Sequence, residues 1–288
     1  MGLKQLKWVY LIGLALVWGS SFILIKKGLI GLTAIQLGSL RIIFASLFLL
    51  LVGFKSLAKI SKQQWKFIVM TSIFGTFTPA YLFAIAETQI DSSITAILNS
   101  LTPLNTLIIG AVVFGIQFQR GQIFGVFIGL IGCLLLVFNG AMSHPEQNYY
   151  YAILVVIASL CYAINVNLIK RYLSDLNSLS ITTGNFAVLL VPAILILSFT
   201  GFHEVMYDEK VQYSILFIII LGVVGTGIAN VLFFKLIQMS SPVFATSVTY
   251  LIPIIAFFWG VLDNEMLTPI QLLGAFIVLV GVYLSAKK

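Results

Sequence analysis

The side chains best placed to bind a small molecule in this sequence are polar groups set inside long apolar runs. Asn99, Ser100, Thr102, Asn105 and Thr106 crowd around Pro103, and Thr246, Ser247, Thr249 and Tyr250 lead up to Pro253. A proline withdraws one N–H from a helix and leaves the carbonyl one turn earlier without its partner. Here those carbonyls lie near Asn99 and Thr249. A freed carbonyl beside an amide or hydroxyl is an acceptor–donor pair suited to a zwitterion or a hydroxylated metabolite. The same groups also serve as hydrogen-bonding glue between helices, and the sequence supports both readings.

A second set pairs aromatic with polar groups. Tyr162 and Asn165 are three residues apart, as are Trp18 and Ser21, and that spacing puts each pair on one helical face. The rings can stack on an apolar or aromatic body or pack against a neighbouring helix. Thr76, Thr78, Tyr81, Thr226 and Asn230 extend the polar set, beside Gly222, Gly225 and Gly227. Such glycines let helices approach closely, and a G-x-G with no preceding strand is not a nucleotide signature.

Three charged residues are candidates for gating or coupling. Arg41 lies inside an apolar run, and its side chain either snorkels to the surface, attracts an anion or braces the end of a neighbouring helix. Lys235 ends another run and either snorkels or contacts an anion at an inner gate. Glu87 with Asp91 is the one carboxylate pair placed for proton or cation coupling, unless both are solvated loop charges. No carboxylate lies deep in a run, which argues for facilitated exchange over a proton-driven pump. His144 and His203 fall in connectors, no H-E-x-x-H is present, and Cys133 and Cys161 read as core residues. The sequence therefore predicts no metal, no cofactor and no catalytic set. An intramembrane enzyme acting on a lipid or polyprenyl carrier, the rival class, has no acid–base residues to use; a passive channel is a third reading.

The elements that must position these groups follow from composition. Hydrophobic residues make up 60% and charged residues 9%, with a mean hydropathy of +1.09. A soluble domain needs about a quarter of its residues charged, so this surface faces hydrocarbon. Crossing a bilayer takes about 20 apolar residues as helix, and backbone amides in lipid must be satisfied internally. The apolar runs are 8–25, 34–54, 67–86, 92–118, 121–140, 151–169, 178–201, 213–234, 242–262 and 269–286. They predict an all-α integral membrane protein with ten transmembrane helices. The first run follows Lys4 and Lys7 but continues to Ile25 with no convincing small-x-small cleavage site, and it reads as a retained span rather than a signal peptide.

Charge sidedness tests that count. Lys4, Lys7, Lys55, Lys59, Lys62, Lys66, Arg120, Lys170, Arg171, Lys235, Lys287 and Lys288 fall on one side, against Lys26, Lys27 and Lys210 on the other. By the positive-inside rule both termini are cytoplasmic, in the inner or plasma membrane. The acids sort oppositely, with Asp175 alone on the basic side. The net charge of +7 thus belongs to cytoplasmic loops, and it argues for a lipid bilayer and against a nucleic-acid partner.

The sequence also repeats. Leu24-Ile25-Lys26-Lys27 returns as Leu168-Ile169-Lys170-Arg171, and at the same offset Trp18 falls on Tyr162, Ser21 on Asn165 and Arg41 on Asn185. Further on, Gly75 matches Gly225, Pro103 matches Pro253, and Gly125 and Gly132 match Gly274 and Gly281. The predicted units are residues 1–141 and 149–288, five helices each. An odd number inverts the second unit, an arrangement typical of secondary transporters with a midplane substrate site. The site is then expected where Trp18, Ser21 and Asn99 meet Tyr162, Asn165 and Thr249, with Tyr81, Asn230 and Tyr250 nearby. The Gly125–Gly129 spacing marks a contact face, inside the molecule or in a homodimer.

The pattern resembles the drug/metabolite transporter superfamily, specifically its EamA-type members with two five-helix repeats. The likeness rests on Leu16-Val17-Trp18-Gly19-Ser20-Ser21-Phe22, on Arg41, on the proline-ended runs from Ser92 to Pro103 and from Ser241 to Pro253, and on Gln271-Leu272-Leu273-Gly274-Ala275 with Gly281. It implies efflux or exchange of a small, often amino acid-like metabolite, through a cavity lined by helices one, three, four, six, eight and nine. The family's acidic residue before the last helix of each unit is Glu265 here, whereas the first half has Ile116-Gln117.

Overall fold

The structure, a computed structural model, describes residues 3–90, 95–96, 98–141, 148–262 and 269–286. Regular structure among them is entirely helical. We label the principal helices α1 Gln5–Gly28, α2 Ala34–Lys59, α3 Lys62–Ala86, α4 Thr102–Val112, α5 Arg120–Ala141, α6 Ala152–Tyr172, α7 Ser178–Ser198, α8 Glu209–Met239, α9 Val248–Leu262 and α10 Pro269–Ala286. Short helical turns at Asn99–Leu101 and Pro242–Thr246 lead into α4 and α9.

Six of these, α1, α2, α3, α6, α7 and α8, are long and apolar enough to cross a membrane, and shorter apolar stretches include Arg120–Gly132 and Pro242–Ile255. The run 92–118 does not fold as one helix. A 3₁₀ turn precedes α4, which stops at Val112, and Gly115 then takes a φ of 62°. Helix starts follow local chemistry. Thr33 with Gln36 and Ser61 with Gln64 form capping boxes for α2 and α3, satisfying backbone donors that the first turn leaves bare. Asn177 accepts from Ser180 N to open α7, and Ser241 accepts from Phe244 N where Pro242 starts its turn.

Two helices carry a π-helical segment, α3 at Ile73–Phe77 and α8 at Leu221–Ile228. In α3, Pro79 lacks the N–H that Gly75 O would accept in a regular helix, and the ladder widens there. In α8, Gly222, Gly225 and Gly227 weaken regular helix, and the Thr226 hydroxyl donates to Leu221 O at 2.9 Å. The two segments occupy equivalent places in the repeat, around Gly75 and Gly225.

Packing joins the halves of the chain. α5 lies against α10 through glycines: a β-carbon at Gly281 would stand 2.4 Å from Gly129 N, and one at Gly132 2.8 Å from Gly274 O. The Gly125–Gly129 stripe is thus spent inside the molecule. α2 meets α7, with Ser46 Oγ donating to Phe186 O at 3.0 Å. α4 meets α6 through Asn105 Nδ2 to Ser159 Oγ at 2.8 Å and Asn167 Nδ2 to Thr106 O at 3.0 Å. Lys170, counted in sequence as a loop charge, instead caps the end of α8: its Nζ donates to Ile237 O and Ser240 O at 3.1 and 2.7 Å. Its repeat mate Lys26 is exposed. Outward-facing side chains such as Leu51, Phe124, Val191 and Phe276 are large and apolar, a surface suited to lipid rather than water.

Candidate functional site

A cavity of about 830 Å³, counting its open mouth, lies among α1, α2, α3, α6, α8, the starts of α4 and α9 and the turns that lead into them. Trp18 and Ser21 enter from α1, Asn99 from the turn before α4, Tyr162 and Asn165 from α6, and Thr249 from α9. These six residues, read from sequence as the meeting point of the two repeats, line one wall system. Asn230 joins them from α8.

The wide turns shape this space. Gly75 packs against the amide of Asn165, so that a β-carbon there would lie 2.5 Å from Asn165 Cγ. At the equivalent place a β-carbon on Gly225 would lie 2.9 Å from Ser21 Oγ. The Trp18 indole N–H donates to Gly225 O at 2.9 Å, tying α1 to the π segment of α8. Aromatic rings finish the walls: Trp18 meets Phe233 edge-on at 4.9 Å, and Phe83 meets Phe22 edge-on at 6.1 Å and stacks on Tyr162 at 6.0 Å. Phe83 and Phe233 were not singled out in the sequence and Phe22 only as the end of a motif, because in an apolar run a cavity-lining phenylalanine has no signal of its own.

Arg41 differs from the snorkelling reading. It sits about two turns into α2, lines the cavity, and donates from Nε to Thr226 Oγ1 at 2.7 Å. It braces α8 rather than the end of α1. The carbonyls freed by the prolines are also not open acceptors. Asn99 O accepts from the Thr102 hydroxyl at 2.7 Å, and Thr249 O accepts from the Ser100 hydroxyl at 3.1 Å. Pro103 falls in the first turn of α4, where its missing N–H costs little, whereas Pro253 lies within α9.

Other candidates lie off this cavity. Tyr81 is buried against Gly38, with its hydroxyl 2.9 Å from Ser39 Oγ. Tyr250 is buried against Gly129 and donates to Val126 O at 2.9 Å. Lys235 is exposed at the end of α8, and Glu87 caps α3 half-buried, close enough to act on Arg41 electrostatically. Asp91 lies outside the described residues. Thr76 and Thr226, noted in sequence beside packing glycines, both line the cavity.

Residues 6–138 and 150–287 each match the EamA-like transporter family. Similar proteins include an uncharacterized transporter of Archaeoglobus fulgidus, 25% identical over 98% of this chain and 99% of its own. The uncharacterized inner membrane transporter YedA of Escherichia coli is 25% identical over 95% of this chain and 88% of its own. The S-adenosylmethionine/S-adenosylhomocysteine transporter of Chlamydia muridarum is 24% identical over 85% and 80%. A crystal structure superposes with a TM-score of 0.74 over 98% of this chain and 97% of that one at 14% identity, which extends the likeness to the fold.

Proposed function

Because this chain belongs to the EamA-like transporter family, we propose that it is a secondary transporter moving a small polar or amphipathic, amino acid-like metabolite across the inner or plasma membrane by alternating access, as efflux or exchange. In this reading ten helices form two inverted five-helix units with both termini cytoplasmic. The observation that carries it is the cavity itself, which draws Trp18, Ser21 and Asn99 from one repeat and Tyr162, Asn165 and Thr249 from the other. A site at the seam of two pseudo-equivalent halves is reached from either face when the halves rock. Polar groups set inside apolar helices are costly unless they serve such a wet interior.

The reading is tested by reconstituting purified protein in vesicles, with candidates chosen from metabolites whose release differs between cells overproducing and lacking the protein. Saturable flux and counterflow of at least one metabolite are expected, with affinity altered by Asn99→Ala or Asn165→Ala. Folded protein that gives no saturable flux with any of them, or flux that never saturates, removes the transporter reading; the second outcome indicates a channel.

A further inference from the structure

The cavity wall is electrically one-sided. Among the described residues that line it, Arg41 alone bears a formal charge, and neither aspartate nor glutamate is present. A guanidinium brings five N–H donors in a rigid fork, and Arg41 spends Nε on Thr226 Oγ1. Thr226 is itself anchored, since its hydroxyl proton goes to Leu221 O across the wide turn. The guanidinium is thus held by one edge, and its terminal Nη groups make no hydrogen bond with a described residue. Glu87 acts on it electrostatically but stands off the cavity wall.

The rest of the wall fits the same kind of occupant. Thr76 and Asn165 also line it, and a hydroxyl and an amide N–H are donors of the kind an anion accepts from. Phe22, Phe83 and Phe233 give the remainder of the cavity an apolar, aromatic surface. A carboxylate matches a guanidinium fork in shape and charge, whereas a cation beside Arg41 meets like charge with no acid on the wall to offset it.

We infer that Arg41 selects the cargo by charge. The cavity takes a molecule with a carboxylate on an apolar body and discriminates against cations of the same shape. This rests on the cavity being the cargo site, and adds to it the charge class of the cargo and the residue that reads it.

The test uses four probes built on one phenyl group, namely phenylacetate, phenylalanine, phenethyl alcohol and phenethylamine, titrated calorimetrically into the purified full-length protein. Phenylacetate and phenylalanine are expected to bind roughly ten- to a hundred-fold more tightly than the alcohol, the range set by one charge-assisted hydrogen-bonded pair, with the amine weaker still. Arg41→Gln should bring phenylacetate down to the level of the alcohol, and Arg41→Lys should restore part of the difference. The wild-type series decides by itself where Arg41→Gln does not fold. Alcohol or amine binding as tightly as phenylacetate, no binding of either carboxylate, or unchanged phenylacetate binding in folded Arg41→Gln overturns the inference. Because binding is read without flux, the two proposals fail separately. Arg41-dependent carboxylate binding with no transport in vesicles removes only the transporter reading. Saturable transport blind to charge removes only this one.

Discussion

The α-carbon of Gly75 lies directly against the side-chain amide of Asn165, leaving no room for even a methyl group between α3 and α6. The same relationship recurs between Gly225 and Ser21, joining α8 to α1. In each half, a glycine in a wide helical turn sets how closely the polar residue of the other half approaches the cavity.

Gly75→Ala should therefore displace Asn165 and lower stability by about 1–3 kcal/mol, the usual cost of overpacking a filled contact. Gly13→Ala is the matched control, since nothing lies within 4 Å of a β-carbon there; it should leave stability unchanged or raise it by up to about 1 kcal/mol through helix propensity. Thermal unfolding of both variants in the same detergent compares them.

Ser100→Ala and Thr102→Val each remove the hydroxyl that satisfies a proline-freed carbonyl, those of Thr249 and Asn99. Each should cost about 1 kcal/mol of stability. A stability loss of that size in denaturation measurements assigns these hydroxyls to the frame of the site.

Lys170→Met strips the last carbonyls of α8 of their ammonium donor. A loss of about 1–3 kcal/mol is expected, because hydrogen bonds to charged groups lie at the strong end of the range. Lys26→Met, at the exposed repeat mate, should stay within about 0.5 kcal/mol. Equal melting temperatures for the two variants would contradict the capping role.

Gly281→Ala forces a methyl group into the backbone of α5 at Gly129. The melting temperature should fall while the mass measured by light scattering stays constant, since the glycine stripe serves contacts within the chain. A change in oligomeric mass would show that the stripe also joins two copies.

Much of the helical plan was legible because lipid imposes it. Apolar runs, basic connectors and proline-ended polar clusters are one-dimensional signals, and Trp18 and Tyr162, linked by a repeat offset, both line the cavity. What escaped the sequence depends on partners distant in the chain. Arg41 read as a snorkelling charge because its partner Thr226 is brought beside it only by folding. The freed carbonyls of Asn99 and Thr249 read as open because nothing in the sequence tells where the neighbouring hydroxyls point. Tyr81 and Tyr250 share the composition of cavity aromatics, yet each finds its partner at a helix contact. The break before α4 was hidden because 92–118 is apolar throughout, and hydropathy does not see where a helix stops.

The π segments of α3 and α8 give these helices a spare residue at mid-length. If such a turn tightens to regular helix, everything beyond it screws by about 100° and slides by about 1.5 Å, the step of one residue. Phe83 lies beyond the turn in α3, and Asn230 and Phe233 lie beyond the one in α8. Tightening either turn would swing these side chains into or out of the cavity while the near half of the helix stayed packed. Each helix thus holds slack enough to change what lines the cavity without coming apart.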